Sequence, residues 1–399
     1  MQRFIGILGL VILLGIAYAF STDRKAIKPK TIGWGLLLQL VFALIVMKTT
    51  IGIQVFEAIA NAVTLGLEKA EAGTDFVFGP LADVETIGFV FAVRALPTII
   101  YISSLFAVLY YLGILQKIVL VMAKLMASTM GTSGAESLSC AANVFMGQTE
   151  APLVVTPYIN KMTYSELATL MVGGMATISG GMLAAYISMG VEAKFLLAAS
   201  VMNAPAALLI AKILVPETGT PMTKGEVKLE VNAEEVNLID AAARGAGSGM
   251  MLAINVAAML IAFLSLIALV NWPLQQFGLS LEQIFGWVFA PLAFVMGVPW
   301  SEATQVGSLF GQKLIANEFV AYVDLLRLKE ATALSPRSEL IATYALCGFA
   351  NVGSIGIQLG GIGGLAPDRK ADLAKLGLTA VLGGSLASFM TATIAGLLN

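Results

Sequence analysis

The sequence predicts an all-α polytopic membrane protein with about eight transmembrane helices, two re-entrant helical hairpins in an inverted repeat, and interfacial helices. Three observations predict it. The 399 residues are 58% hydrophobic and only 12% charged, where soluble domains carry roughly 25% charged residues. Eight apolar segments meet or approach the roughly twenty residues that cross a bilayer: 1–20, 31–48, 95–115, 166–190, 194–215, 248–270, 339–362 and 376–398. Two carboxylates, Glu150 and Glu318, stand in otherwise apolar stretches, one in each half of the chain.

Residues 1–20 resemble a signal peptide in hydropathy, but the apolar run is long and no A-x-A cleavage site follows. Arg24, Lys25, Lys28 and Lys30 come directly after it, so it reads as a first span whose following loop is cytoplasmic. The N-terminus is then outside. Residues 52–70 are amphipathic and read as a helix in the interface plane. Residues 136–163 and 305–330 are mostly apolar, too short to cross twice and interrupted by polar groups, which is the pattern of re-entrant hairpins. The run from Asn143 to Glu150, followed by Pro152, cannot easily remain one helix. The long polar stretch 216–244 follows the fifth span and falls on the cytoplasmic side.

Each hairpin is followed by a span interrupted by small residues, Thr177 to Gly181 in one half and Asn351 to Ser354 in the other. At an offset of 173, the stretches 165–181 and 338–354 share four identities, at Ser165, Glu166, Leu167 and Gly180. Eight spans place the first hairpin's entry on the cytoplasmic side and the second's outside, so the halves are inverted.

A carboxylate at membrane depth costs roughly 2.5–3.5 kcal/mol even on the lenient insertion scale, so Glu150 and Glu318 are expected to face a cavity. With Gln148, Thr149, Asn351 and Ser354 they offer many hydrogen bonds and no fixed positive charge. Such a set suits a neutral, polyhydroxylated or amide-bearing solute: a carboxylate accepts from two vicinal hydroxyls, carboxamides pair with a base edge, and Phe349 supplies an apolar wall. Side-chain oxygens of Asn143 and Thr177, with Met146 and Ile178 carbonyls, suit a hard monovalent cation. Purely structural roles stand beside these. Gln148 and Asn351 could tie a broken helix together, Glu166 and Glu339 could cap span starts, and Arg94 reads as an interface anchor.

Several classes are excluded. The chain has no histidine, which removes His-based metal sites and relays. Cys140 and Cys347 read as buried thiols, and the net charge of −2 carries no message about nucleic acid. The Gly-rich run 359–364 lacks the Lys and the strand–helix setting of a phosphate loop. No nucleophile motif or HExxH accompanies the carboxylates, so no enzyme activity and no cofactor are expected. A channel fits inverted, carboxylate-bearing broken helices less well than a transporter does.

Three long motifs, GTSGAESLSCAANVFMGQTEAP (131–152), ANEFVAY (316–322) and GFANVGSIGIQLGG (348–361), resemble the concentrative nucleoside transporter family, and the resemblance runs from about residue 30 onward. It implies a bacterial, multi-pass inner-membrane homotrimer whose inverted-repeat transport domain moves against a scaffold like an elevator. Residues 1–115 would be mainly scaffold, 116–215 the first half of the transport domain, 216–298 a cytoplasmic loop and scaffold span, and 299–399 the second half. Gly147, Gln148, Thr149 and Glu150 match the nucleobase side, Glu318, Asn351 and Ser354 the ribose side, and Phe349 an aromatic beside the base. Gly147, in place of a bulkier Ser, implies room for purines as well as pyrimidines, while Met182 stands where smaller aliphatics occur and leaves base preference open. Asn143, Met146, Thr177 and Ile178 match sodium positions. Glu150 is followed by Ala151 and Pro152, as in sodium-coupled relatives; the alternative is a proton-coupled symporter.

Overall fold

The computed structural model describes residues 2–88, 90–226 and 236–399; Met1 of the first expected span and 227–235 of the expected cytoplasmic loop lie outside them. The described residues are helical throughout apart from turns and one isolated bridge between Ser133 and Lys224. In chain order the outer elements are α1 (Gln2–Ala19), α2 (Pro29–Lys48), α3 (Thr50–Phe78), α4 (Val84–Ile87), α5 (Phe91–Tyr111) and α6 (Ile114–Met130). The first hairpin is α7 (Gly134–Ala142), an eight-residue tip at 143–150, a 3-10 turn (Ala151–Val155) and α8 (Thr156–Ile159). Then come α9 (Tyr164–Ala176), α10 (Gly180–Ser188), α11 (Ala193–Leu214), α12 (Leu238–Gln275) and α13 (Leu281–Val295). The second hairpin is α14 (Trp300–Ile315) and α15 (Glu318–Glu330), followed by α16 (Pro336–Leu346), α17 (Val352–Leu365) and α18 (Lys370–Leu398).

Seven helical runs among the described residues are long and apolar enough to cross a bilayer: α2, α3 through α4, α5, α9 with α10, α11, α12 and α18. Six coincide with expected spans. The α3 run joins them because it extends through Phe78, well past residue 70. Its polar Glu71 and Asp75, four apart on one face, both pair with Arg94 of α5, at 3.4 and 3.9 Å. Expected span 339–362 is split between α16 and α17, and the described apolar part of α1, Ile5–Ala19, is short. Helices α6 and α13 were not expected. The chain doubles back between α13 and α14 with a bend of 117°, at Gly297, whose φ of 103° favours glycine.

Burial separates two layers. The α9–α10 run, α11 and α18 are packed on all sides, whereas α12 is almost bare. On α12, Ala241, Gly245, Gly249 and Ala253 form its buried stripe. A Cβ at Gly245 or Gly249 would come within 2.7 Å of α5 backbone, so small residues at four-residue spacing set this close crossing.

Hydrogen bonds fix which ends lie together. At one end, the Thr22 amide donates to the Leu214 carbonyl, the Gly134 amide to Thr223, and Arg369 to the Met162 carbonyl. This end therefore holds the basic loop, the foot of the first hairpin and the end of α11. Here Lys212 is buried against Glu136 (2.6 Å) and donates to the Ser165 hydroxyl, while Glu166 completes a capping box with Thr163. At the other end, Ser335 donates to Glu302, Arg337 to the Gly297 carbonyl, and Lys329 pairs with Glu339. That is the foot of the second hairpin, beside α1's start and α18's finish, where Gly6 packs on Leu397.

The repeat is out of register with the identities found at offset 173. The N-caps of α9 and α16 are Thr163 and Ser335, and those of α10 and α17 are Ser179 and Asn351, both 172 apart. The shared Ser-Glu-Leu is therefore shifted by one residue from the cap alignment: Glu166 caps, and its partner at the cap is Ser338 rather than Glu339.

Candidate binding site between the hairpin tips and broken helices

The two broken helices meet backbone to backbone. The first breaks at Thr177–Ser179, where Ser179 caps α10 through the Met182 amide. The second breaks at Cys347–Asn351, earlier than expected, so that Val352, Gly353 and Ser354 form the first turn of α17. Asn351 is the cap, its side-chain oxygen accepting from the Ser354 amide at 2.8 Å. The Phe349 amide donates to the Thr177 carbonyl (3.2 Å). A Cβ on Gly348 would lie 2.7 Å from the Ala176 oxygen, so only glycine allows this crossing.

Glu318 opens α15, capped by Asn317, where the helix N-terminus favours an anion. It is 4% exposed. One carboxylate oxygen accepts from the Tyr186 hydroxyl (2.8 Å), the other from the Asn351 side-chain amide (3.2 Å). Tyr186 packs in turn against Tyr322 and Phe319, the rings tilted by 36° and 44°. Met182 is buried one turn before Tyr186 on α10, on the same face.

The first tip reaches the same place from the opposite side. Gln148 donates to the Ser354 hydroxyl (3.2 Å) and its buried amide oxygen has no partner. Glu150 is half-buried and accepts from the Gly147 amide (2.8 Å), which holds the tip in shape. Gly147 packs on Ser179, and Thr149 on Gly361 of α17. Phe349, two residues before Asn351, is nearly buried. Gln148, Asn351, Ser354 and Glu318 are thus joined by side-chain contacts, with Glu150 and Thr149 at the tip's rim.

Two of the four expected ion ligands are brought together, and Ile178 follows one of them in the chain. Asn143 and Thr177 both lie against Gly173: the Asn143 amide nitrogen is 3.5 Å from a Cβ built there, and the Thr177 hydroxyl donates to the Gly173 carbonyl. The Asn143 side-chain oxygen is buried without a partner. The Met146 and Ile178 carbonyls accept no hydrogen bond among the described residues. Unpaired buried oxygens are costly, about 1–3 kcal/mol each, and a hard cation is the ligand that satisfies several at once.

Four further residues belong to this region. Tyr186 orients Glu318; Gln358 donates to the Met171 carbonyl; Asn203 and Lys313 are fully buried. Lys313 was legible as a charge in an apolar hairpin, by the same rule that singled out Glu318. A cavity of about 300 Å³ lies elsewhere, between α2, α3, α11 and α16, lined by Phe56, Glu57, Lys194, Phe195 and Leu340 among others, none of them an expected site residue.

Carboxylate, amides and hydroxyls buried between two hairpins and two broken helices, all within an apolar bundle, define a membrane transporter rather than an enzyme. The chain belongs to the Na+ dependent nucleoside transporter family, matching its N-terminal part over residues 8–81, the nucleoside recognition (gate) region over 92–193 and its C-terminal part over 195–396. It is 47% identical to an uncharacterized transporter of Haemophilus influenzae, covering 98% of this chain and 96% of that one. It is 43% identical to rat solute carrier family 28 member 3, spanning all of this chain and 59% of that longer protein. Its fold matches CNTnw in an inward-facing substrate-bound state at TM-score 0.95 and 46% identity over 100% and 99% of the two chains, and a CNTnw variant in an outward-facing state at TM-score 0.94.

Proposed function

We propose that this protein is a sodium-coupled symporter that carries nucleosides into the cell across a bacterial inner membrane. The observation that carries the substrate class is the state of Glu318. Each carboxylate oxygen has two lone pairs, and each already accepts one hydrogen bond, from Tyr186 or Asn351. Two acceptor positions remain, side by side, which is what a ribose 2′,3′-diol requires. Gln148 and Thr149 then face the base, with Glu150 at the rim and Phe349 and Met182 as apolar walls.

The orphan Asn143 oxygen and the free Met146 and Ile178 carbonyls support sodium, with the Thr177 hydroxyl, at the first break. Hairpin feet tied to opposite ends of the molecule support an inverted repeat, and hence alternating access. CNTnw captured facing inward and outward supports an elevator stroke. In that stroke, segments 116–215 and 299–399 would move as the transport domain against a trimeric scaffold built from 1–115 and 216–298.

Uridine uptake into proteoliposomes tests the reading. Concentrative uptake under an inward sodium gradient, abolished when choline replaces sodium, is the expected result. Uptake that ignores sodium and follows an inward proton gradient would move coupling to a carboxylate. Absence of uridine and adenosine uptake by folded protein would remove the substrate class. Asn143→Ala takes away one charge-dipole ligand, so the sodium concentration for half-maximal uptake should rise roughly tenfold; an unchanged sodium dependence would count against the site.

A further inference from the structure

Asn203 sits mid-way along α11, fully buried, and its single side-chain NH₂ donates to two carbonyls: Ala176 at 2.7 Å and Cys347 at 2.8 Å. Ala176 is the last residue of α9 and Cys347 is the C-cap of α16. These are the frayed carbonyl ends of the two broken helices, which have no onward helical donor. The amide orientation is forced, because a flipped side chain would set its oxygen against both carbonyls. Its own oxygen is left buried and unpartnered, a cost of about 1–3 kcal/mol that a simple packing residue would avoid.

Position gives the strut its meaning. One residue after Ala176 begins the ion-side break, Thr177 and Ile178. The nucleoside-side break starts at Cys347 itself and runs through Phe349 to Asn351. We infer that Asn203 is a positioning residue that couples the two sites: by holding both helix ends on one amide, it lets occupation of the ion site set the geometry of the nucleoside-side break. The inference rests on the sodium and nucleoside reading above. Coupled ligands then raise each other's affinity by the same factor.

The test is the ratio of uridine dissociation constants in choline and in sodium, measured by calorimetry on purified protein. Wild type should give a ratio of about 5–150, the usual range for coupled sites. Asn203→Ala should bring it close to one while uridine affinity in choline stays within about threefold, since only the communication is lost. Asn203→Ser keeps one hydroxyl donor, enough for one carbonyl but not both, and should lose the coupling with less loss of stability. A residue of merely structural importance would weaken binding equally in both salts and leave the ratio intact, and that result overturns the inference. A wild-type ratio of one overturns the sodium reading and this inference together. Hydrogen exchange gives a check independent of affinity: sodium alone should slow exchange across 347–353 in wild type, and equal exchange with and without sodium overturns the coupling.

Discussion

Glu318→Gln lowers uridine affinity roughly 10- to 100-fold, the value of one or two hydrogen bonds to a charged acceptor, while the protein stays folded. The substitution is isosteric. Gln can still accept from Tyr186, but its NH₂ then faces the Asn351 amide, now donor against donor. The ribose-facing acceptors fall from two to one and lose their charge. Discrimination makes the effect specific: 2′-deoxyuridine, which presents one hydroxyl of the diol, should lose less affinity in the variant than uridine does. Equal losses for the two would show that Glu318 acts on the fold and not on the sugar. Normal uridine binding would end the ribose assignment.

The parts of this site that were legible in the sequence are those where polarity is expensive. Glu150, Gln148 and Glu318 stand out because a buried carboxylate or amide in an apolar run has to be compensated. The tip at 143–150 and the ragged second arm of the first hairpin were legible too, since Pro152 and Pro157 prevent a regular helix there. Other features depend on contacts that no local pattern encodes. Helix α3 continues past Ala70 through Glu71 and Asp75, whose charges are met by Arg94 on another helix. The second break begins at Cys347 rather than Asn351 because Asn203, 144 positions away, supplies the donor that a continuing helix would have given. Four identities at one offset misplaced the repeat by a residue, because caps accept Thr, Ser or Asn alike and so leave little identity to find.

Lys313→Met should destabilise the protein by about 3 kcal/mol or more, the cost of breaking a buried charge arrangement by removing one member. The ammonium is 0% exposed, donates to the Ala345 carbonyl (2.6 Å) and the Ser388 hydroxyl (2.9 Å), and lies 5.5 Å from the centre of the Phe389 ring. Ala345 is in the last turn of α16, so the charge also sits at the end of a helix that favours cations. Met fills the volume but leaves the carbonyl without its donor and removes a positive charge whose field reaches Glu318 across the apolar interior. Arg should not substitute, because a planar guanidinium needs more room and more acceptors than a fully enclosed site provides. The decisive measurement is a double-mutant cycle on thermal unfolding in detergent. If the two charges compensate one another, adding Glu318→Gln to Lys313→Met removes the stranded anion and recovers roughly 1 kcal/mol or more relative to the sum of the single variants. Strict additivity would mean that Lys313 serves only its two hydrogen bonds, and that the charge of Glu318 is balanced instead by Tyr186, Asn351 and the start of α15.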